Sequence, residues 1–336
     1  MFKPFRLRRR AASATALVML GILAAACENR AASVTNTNPN PNPPGPPKVS
    51  DFSAALAFEH MKKMCELGPR PSGSSAILKA QDYIENELKS YGLKVVEDPF
   101  TATTPRGTVP MKNIIAELPG EKSEMVLITG HYDTKRQAGF VGANDGASST
   151  AAVLETARVL AKTKPEYTLW FVFFDGEEAV VDWSAMEGKD NTYGSRWLVS
   201  SMKANDSLSR VRAMILFDMI GDKSLDLKRD AESSDWLVES IWNTARQIGA
   251  AKFFLASDTA MEDDHVPFRD AGISAVDLID FNYGPNHGYW HTNQDTLDKV
   301  SGESVRIVGD VVLRSLPEIF KQLDNPKPKP HLRIPQ

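Results

Sequence analysis

The apolar run TLWFVFF, residues 168–174, constrains the fold more than any other segment of this 336-residue chain. Such an almost continuous apolar stretch predicts a β-strand that is buried on both faces, and strands of that kind belong to parallel sheets covered by helices. Other strand-like runs occur before and after it, separated by segments with helical periodicity. This alternation predicts an α/β fold, a three-layer sandwich in which helices flank a mostly parallel mixed central sheet.

The periodicity also places the individual elements. Helices are predicted at residues 51–66, 74–90, 147–162, 193–204, 233–249 and 302–323. Strands are predicted at residues 93–96, 113–118, 125–129, 168–174, 213–217 and 274–279. A chain of this length holds one large or two small domains, at roughly 100–200 residues per domain. We predict one folded domain over residues 51–323.

Residues 1–26 have the features of a bacterial export signal. A basic segment ends at Arg10, an apolar stretch covers residues 14–23, and three alanines precede Cys27. The apolar stretch is shorter than a bilayer-spanning helix requires. A run of small residues ending at a cysteine resembles the lipobox of bacterial lipoproteins, which are cleaved before that cysteine and acylated on it. This predicts an exported lipoprotein of the cell envelope that contacts the membrane only through the lipid on Cys27. The alternative is an ordinary secretory signal, cleaved at the same alanines.

Two segments outside the predicted domain are expected to be flexible. Residues 27–50 are rich in Asn, Pro, Thr and Ser and almost free of large apolar side chains. Such a segment cannot bury enough apolar surface to offset the entropy of ordering its backbone, so we predict a disordered linker that follows the lipid anchor. Residues 324–336 have a similar composition and are predicted to be a flexible tail.

The charge and the cysteine count limit the class of protein. Five of the 39 basic residues lie in residues 1–26, which contain no acid, and this leaves 34 basic against 43 acidic side chains, a net charge of −9. A domain this acidic has no electrostatic attraction for nucleic acid. The two cysteines, Cys27 and Cys65, do not allow a disulfide framework to be assumed.

Acidic and imidazole side chains follow the predicted strands, where each strand ends. They are His131 and Asp133 after VLIT, Asp145 in GANDGAS, Glu177 and Glu178 after WFVFFDG, Asp218 after MILF, and His291 in WHTNQD. Taken singly, each has an ordinary explanation as a structural histidine, a helix N-cap or a solvated glutamate. Ligands of such sheets bind beyond the carboxyl ends of the strands, and buried carboxylates are costly unless they are paired or bind a metal. The coincidence of all five clusters therefore favours a functional site.

One Asp, one Glu and one His suit a zinc ion that keeps an open fourth position for water or substrate. The doubled glutamates have a physical use as well. One glutamate can bind the metal while its neighbour, which remains unbound, moves a proton. These residue types alone leave the occupant of the open position undetermined.

The motifs resemble those of the zinc aminopeptidase and glutaminyl cyclase family. The matching segments are GHYDTK, FVGANDGASS, FFDGEEA, LFDMIG, EDDHVPF and WHTNQDTLD. The resemblance covers about residues 51–323 and implies a catalytic domain with the zinc-aminopeptidase-like form of the predicted fold. It also implies that Asp145, Glu178 and His291 are zinc ligands and that Glu177 is the general acid/base. In the dizinc aminopeptidases, the positions matching His131 and Asp218 hold a second zinc.

A few residues resemble the cyclase branch in particular. Asp263 stands before Asp264-His265 where aminopeptidases commonly have serine, and the animal cyclases use this aspartate in a proton relay with the one matching Asp218. Trp183 and Trp290 match the apolar walls of the cyclase pocket. The departures are the absence of a disulfide beside His131, an insertion at residues 186–191, Glu262 in place of glutamine, and no phenylalanine four residues before Trp290.

The resemblance therefore implies a glutaminyl-peptide cyclotransferase, which converts the N-terminal glutamine of peptides and proteins to pyroglutamate and releases ammonia. The implied catalytic residues are Glu177, Asp218 and Asp263, and the implied substrate-binding residues are Trp183, Trp290 and His131. One zinc per chain is expected, to polarise the γ-carbonyl group that the α-amine attacks. The alternatives are a zinc-dependent aminopeptidase, motivated by the intact His131 and Asp218, and a non-catalytic binding module, which the complete set of site residues disfavours.

Overall fold

The computed structural model describes residues 51–325. The helices are α1 (Ala54–Glu66), α2 (Ser75–Ser90), α3 (Ala147–Leu160), the single turn α4 (Ala185–Gly188), α5 (Tyr193–Ala204), α6 (Asp235–Gln247), α7 (His265–Asp270) and α8 (Gly302–Asp324). The strands are β1 (Lys94–Thr104), β2 (Gly107–Leu118), β3 (Lys122–His131), β4 (Tyr167–Phe174), β5 (Val211–Asp218), β6 (Leu227–Asp230), β7 (Phe254–Thr259) and β8 (Ser274–Ile279). The predicted export signal, Cys27, the linker and residues 326–336 of the predicted tail lie outside the described residues.

The main sheet has six strands in the order β1-β2-β4-β3-β5-β8. The four strands β4, β3, β5 and β8 are parallel, whereas β1 and β2 form an antiparallel pair at one edge. This confirms the predicted mostly parallel mixed sheet. A separate pair of short strands, β6 and β7, is also parallel.

Helices cover both faces of the sheet and produce the predicted three layers. The larger core lies between one face of the sheet and helices α1, α2, α3, α6 and α8, while the smaller core lies on the opposite face against α5 and α7. In β4, Phe171 and Phe173 belong to the larger core and Val172 and Phe174 to the smaller one, and all four side chains are fully buried. Burying a phenylalanine stabilises the fold by about 1.5–3 kcal/mol. Strand β4 thus links the two cores.

Helix α3 packs directly on the sheet beside the end of β3. Residues 147–157 of this helix are all buried. A Cβ atom at Gly130 in β3 would lie 2.8 Å from the Cβ atom of Ser149, so glycine is required at this close approach. The Oγ of Ser149 donates a hydrogen bond to the carbonyl oxygen of His131. The start of α3 is therefore held against the end of β3, which brings the loop containing Asp145 next to His131.

The structure differs from the sequence prediction at polar strands. Strands β1 and β2 are longer than predicted, because they form one hairpin in which Thr104 pairs with Gly107 across a two-residue turn. Strands β6 and β7 and helix α7 were not predicted. They are short, and their sequences LKRD, FLASDT and HVPFRD carry no clear apolar period. Tertiary pairing, and not local pattern, forms them.

Within residues 51–325, no helix is both long enough and apolar enough to cross a bilayer.

Candidate active site

The carboxyl ends of the four parallel strands meet at one edge of the sheet, and the predicted site residues gather there. His131 and Asp218 are the last residues of β3 and β5. The loops that follow β3, β4 and β8 bring in Asp145, Glu177, Glu178, Trp183, Trp290 and His291, and the loop after β7 brings in Asp263. The edge rule for parallel sheets, applied to the sequence, thus located the site.

Asp145, Glu178 and His291 converge on one point. Each offers a ligand atom, and these atoms all lie within 4.8 Å of one another. The Nε2 atom of His291 is 3.4 Å from Oδ2 of Asp145 and 3.3 Å from Oε2 of Glu178. Tetrahedral zinc with bonds near 2.0–2.1 Å separates its ligand atoms by about 3.3 Å.

Two of these ligand atoms are buried without any hydrogen-bond partner among the described residues. They are Oδ2 of Asp145 and Oε2 of Glu178. A buried carboxylate oxygen that lacks a donor is costly, unless a cation binds it. The other oxygen of Glu178 accepts the backbone N–H of Lys135 at 3.1 Å, which leaves Oε2 directed toward His291. The residues present therefore fit a divalent metal ion.

Further carboxylates hold the loops that carry these ligands. Asp295 accepts the backbone N–H groups of Asn144 and Asp145 at 2.8 and 3.0 Å, and it also accepts the hydroxyl of Tyr283 at 2.7 Å. Asp133 accepts the backbone N–H groups of Glu177 and Glu178, at 3.2 and 3.3 Å. These contacts join segments that are distant in the sequence, and they fix the ligand loops before any metal binds.

His131 forms a second cluster with Asp145 and Asp218. Its Nε2 atom lies 3.1 Å from Oδ1 of Asp218 and 3.3 Å from Oδ1 of Asp145. Burial disfavours the imidazolium form, but hydrogen bonds to the carboxylates, first that of Asp133, outweigh it and raise the pKa of His131 well above its usual value. The two oxygens of Asp145 therefore face different clusters, and these three side chains could also hold a cation.

His131 was predicted to bind substrate, but the structure places it behind the site. Its side chain is 1% exposed and is not part of the cavity wall. Its ring nitrogens lie close to the carboxylates of Asp133, Asp145 and Asp218, so its contact with substrate stays a prediction. His131 can also act on a substrate through Asp145, Asp218 or Glu177, whose carboxylates lie within 3.8 Å of its ring nitrogens.

A cavity of about 230 Å³ opens over the ligand cluster. Trp290 stacks on the ring of His291, with ring centroids 4.0 Å apart, and Phe281 contacts Trp290 edge-on at 4.8 Å. On another side, the Nε1 atom of Trp183 donates a hydrogen bond to Glu262 at 3.3 Å. The predicted tryptophans thus both line the cavity.

Glu177 points into the same cavity but is not part of the three-ligand cluster. The Nδ1 atom of His131 is 3.8 Å from its Oε2 atom. Burial raises the pKa of Glu177 well above its usual value; His131 opposes the shift, whereas Asp263 and Glu178 reinforce it. A carboxyl group whose pKa is raised in this way is suited to a general acid/base.

Asp263 lies beside Glu177 and Asp218 at the wall of the cavity. Burial raises the pKa of Asp263 well above its usual value, and among the neighbouring charges the Asp218 carboxylate raises it most. Helix α7 begins at His265 without a side-chain cap, and Oδ1 of Asp263 accepts only the neighbouring N–H of Asp264. The Asp263 side chain therefore does not cap helix α7, a role that a serine at this position could fill.

Sequence reasoning missed several residues that shape the site. Phe281 forms part of the aromatic wall of the cavity. The sequence comparison considered only position 286, where the phenylalanine of the cyclases is absent. Asp295 lies inside the WHTNQD motif, and its spacing from His291 was the available signal. Asp190 accepts the backbone N–H groups of residues 180, 181 and 182 and thereby holds the loop that carries Trp183.

Comparison with known proteins extends these observations. The sequence profile of peptidase family M28 matches residues 113–316. The mouse glutaminyl-peptide cyclotransferase-like protein is 31% identical in an alignment of length 258 that covers 68% of this chain and 66% of the mouse protein. The chain therefore spans slightly less than two thirds of that relative.

Solved structures share the fold along nearly their whole length. The glutaminyl cyclase of an Acidobacteriales bacterium is 38% identical, with a TM-score of 0.76 over 81% of this chain and 96% of that one. A Zn-dependent exopeptidase from Parabacteroides distasonis is 27% identical, with a TM-score of 0.71 over 80% of this chain and 99% of that one.

Proposed function

This chain belongs to peptidase family M28, and we propose that it is a glutaminyl-peptide cyclotransferase. Its substrates are peptides and proteins with an N-terminal glutamine, and its products are the pyroglutamyl peptide and ammonia. The similarity to the glutaminyl-peptide cyclotransferase-like protein of mouse and to the glutaminyl cyclase of an Acidobacteriales bacterium supports this activity.

One observation carries the proposal. Glu177 projects into a tryptophan-lined cavity beside a three-ligand cluster, with the buried carboxyl of Asp263 next to it. The cavity is small, as a glutamine side chain requires, and a general acid/base faces the space where that side chain would react.

Asp145, Glu178 and His291 are the residues that would hold zinc, one ion per chain. When bound there, zinc supplies a Lewis acid that polarises the γ-carbonyl of the glutamine. The unpartnered oxygens of Asp145 and Glu178 support this ligand set. The family match and the likeness to a Zn-dependent exopeptidase support the choice of zinc.

The chain's own residues position the substrate and move its protons. Trp183 and Trp290 hold the glutamine side chain between them, which limits its motion and excludes water. Glu177 accepts a proton from the α-amine as the bond between the α-nitrogen and the δ-carbon forms. The same carboxyl then gives the proton to the departing amide nitrogen as the carbon–nitrogen bond breaks, and ammonia leaves. The proton count is balanced, and no water is consumed.

Asp218 and Asp263 assist this transfer. Because they are buried close to each other and to Glu177, the carboxyl groups repel as anions and titrate as a group. A shared proton in this group holds Glu177 in position and adjusts its basicity.

An aminopeptidase is the second candidate, and one observation favours it. His131, Asp145 and Asp218 form a further cluster that could hold a second cation. A hydrolase needs an activated water, which a second metal ion helps to supply. The buried carboxyl of Asp263 in the cavity wall and the similarity to glutaminyl cyclases favour the cyclase instead.

A direct assay separates the two activities. The purified protein is incubated with a peptide that begins with glutamine and with a matched peptide that begins with leucine, and the products are identified by mass spectrometry. We expect loss of ammonia from the first peptide and no cleavage of the second. Release of leucine without cyclisation would establish the aminopeptidase.

We also propose that the protein is exported and anchored in the cell envelope by a lipid on Cys27. The basic segment, the apolar stretch and the alanines before Cys27 support this. A single cysteine anchor predicts that Cys27→Ser moves the protein out of the membrane fraction without loss of activity, because the domain does not include this residue. Recovery of the variant in the membrane fraction would contradict the anchor.

A further inference from the structure

A second cavity adjoins the proposed catalytic cavity. It has a volume of about 410 Å³ and lies between residues 188–192, helix α5 and helix α7. Glu262 and Asp263 are part of the walls of both cavities. The two spaces are therefore neighbours, and Glu262 is the exposed residue at their border.

A peptide substrate needs such a space. When its N-terminal glutamine is in the catalytic cavity, the chain that follows must leave across the cavity rim. A chain that crosses at Glu262 enters the second cavity directly. There it would meet the apolar side chains of Val199, Val266 and Pro267 and the hydroxyl of Ser200.

Three charged side chains along this course of the peptide form no ion pair within residues 51–325. The Glu262 carboxylate accepts the Nε1–H of Trp183 at 3.3 Å, and within residues 51–325 it forms no ion pair. Lys189 and Lys203 line the second cavity and likewise have no carboxylate partner in the described part of the chain. The path therefore begins beside the acid Glu262 and continues past two lysines without ion-pair partners among the described residues, in a wall that also contains Arg196 and Asp270.

The length of the path corresponds to several residues. Helix α5 starts next to the site, since the N–H of Tyr193 donates to the carbonyl oxygen of Gly176 at 2.7 Å. Lys203 lies ten residues further along the helix, which is about 15 Å at 1.5 Å per residue. An extended peptide covers that distance with about four to five residues, at roughly 3.3–3.6 Å each.

We propose that the second cavity binds the residues that follow the N-terminal glutamine, and that Glu262 favours a basic residue directly after it. This inference rests on the proposed cyclase activity. The second cavity would make the enzyme selective for peptides over free glutamine derivatives. Glu262 would make it selective for the charge of the second residue.

The test compares glutamine amide with two tetrapeptides, Gln-Lys-Ala-Ala and Gln-Glu-Ala-Ala. We expect kcat/KM for the lysine peptide to exceed that for glutamine amide at least about tenfold, because contacts remote from the reacting bond contribute to the rate. A charge a few ångströms from Glu262 near the surface should make the lysine peptide about 3- to 10-fold better than the glutamate peptide.

Two variants assign these effects to residues. Glu262→Gln should reduce the lysine-over-glutamate ratio to near unity. Ser200→Trp fills the second cavity and should lower the ratio of tetrapeptide to glutamine amide at least about fivefold. Ser201→Trp, at a neighbouring helix position outside the cavity wall, is the matched control and should keep that ratio.

Equal kcat/KM for all three substrates, or an unchanged ratio in Ser200→Trp, would overturn the inference while the cyclase activity stands. If none of the three substrates is cyclised, the proposed function itself has failed.

Discussion

Two groups of buried carboxylates lie at the same edge of the sheet and differ in how their oxygens are satisfied. The supporting carboxylates, Asp133, Asp190 and Asp295, each accept at least two backbone N–H groups. By contrast, Asp145 and Glu178 each keep one buried oxygen with no hydrogen-bond partner in residues 51–325. Asp145 and Glu178 thus each keep an oxygen that can bind a cation, whereas the supporting carboxylates are occupied by backbone donors.

The adjacent residues Glu177 and Glu178 show the same contrast at short range. Asp133 accepts the backbone N–H of both. Their side chains nevertheless have different surroundings, since Glu178 faces His291 and Glu177 faces the open cavity. A supporting carboxylate thus presents two neighbouring acids for two different tasks, metal binding and proton transfer.

The largest effect is expected when a ligand oxygen is removed. Glu178→Gln replaces a charged ligand by a neutral amide, so zinc content should fall to background and cyclisation with it, a loss of at least about 10³-fold if the metal supplies several kcal/mol of the activation. Metal analysis of the dialysed protein measures this. Glu187→Gln, an exposed glutamate nearby, is the control. A Glu178→Gln protein that binds zinc normally would remove Glu178 from the ligand set.

The next effect concerns Asp263, which is a site acid but not a ligand. Asp263→Ser should abolish pyroglutamate formation, lowering kcat at least about 10²-fold, because the proton relay is broken. Zinc should remain bound, and metal analysis of the same sample checks this. A serine variant that cyclises glutamine peptides at nearly the original rate would show that the relay is not needed, and it would strengthen the aminopeptidase alternative.

Replacing a supporting carboxylate should have a smaller effect, and the first property to change should be the zinc affinity. Asp295→Asn turns one acceptor of the backbone N–H groups of Asn144 and Asp145 into a donor, which loosens the loop that carries a ligand. Zinc affinity should fall about 10- to 100-fold, the usual range for residues that orient ligands. Competition with a chelator measures it. Unchanged zinc affinity would mean that Asp145 is positioned without Asp295.

The smallest effect is expected at Asp190, which holds the loop that carries Trp183 and is not in the ligand cluster. Asp190→Asn should lower the free energy of unfolding by about 1–3 kcal/mol, because buried backbone donors lose their acceptor. KM for a glutamine peptide should rise as the Trp183 loop loosens, and zinc content should not change. Denaturant unfolding and steady-state kinetics check both, with the exposed Asp258→Asn as the control. Loss of zinc in Asp190→Asn would show that the Trp183 loop also supports the metal site, contrary to this prediction.

The fold was largely predictable because its information is local. The apolar run 168–174 coincides with β4, and the strand predicted at 274–279 coincides with β8. The edge rule then placed His131, Asp145, Glu178 and His291 together. Polar strands such as β6 were not predictable, because the partner strand provides the order that their own sequence lacks.

The supporting carboxylates were less accessible to sequence reasoning. Asp295 lies about 150 positions from the N–H groups that it accepts. No local pattern signals a pairing over that distance. Phe281 reaches the aromatic wall from the end of β8, whereas the sequence comparison directed attention to position 286. The charges and their spacing identified the site acids, but only the three-dimensional contacts identified what holds them.

The central claim is that Glu178 binds the metal and Glu177 moves the proton, and the variant Glu177→Gln tests it most directly. Zinc content and turnover of a glutamine peptide are measured on the same purified sample. We predict one zinc per chain, an unchanged unfolding transition and a turnover lowered at least about 10²-fold, the scale of a lost general acid/base. Loss of zinc in this variant would mean that the two glutamates have the opposite roles, and full activity would contradict proton transfer by Glu177.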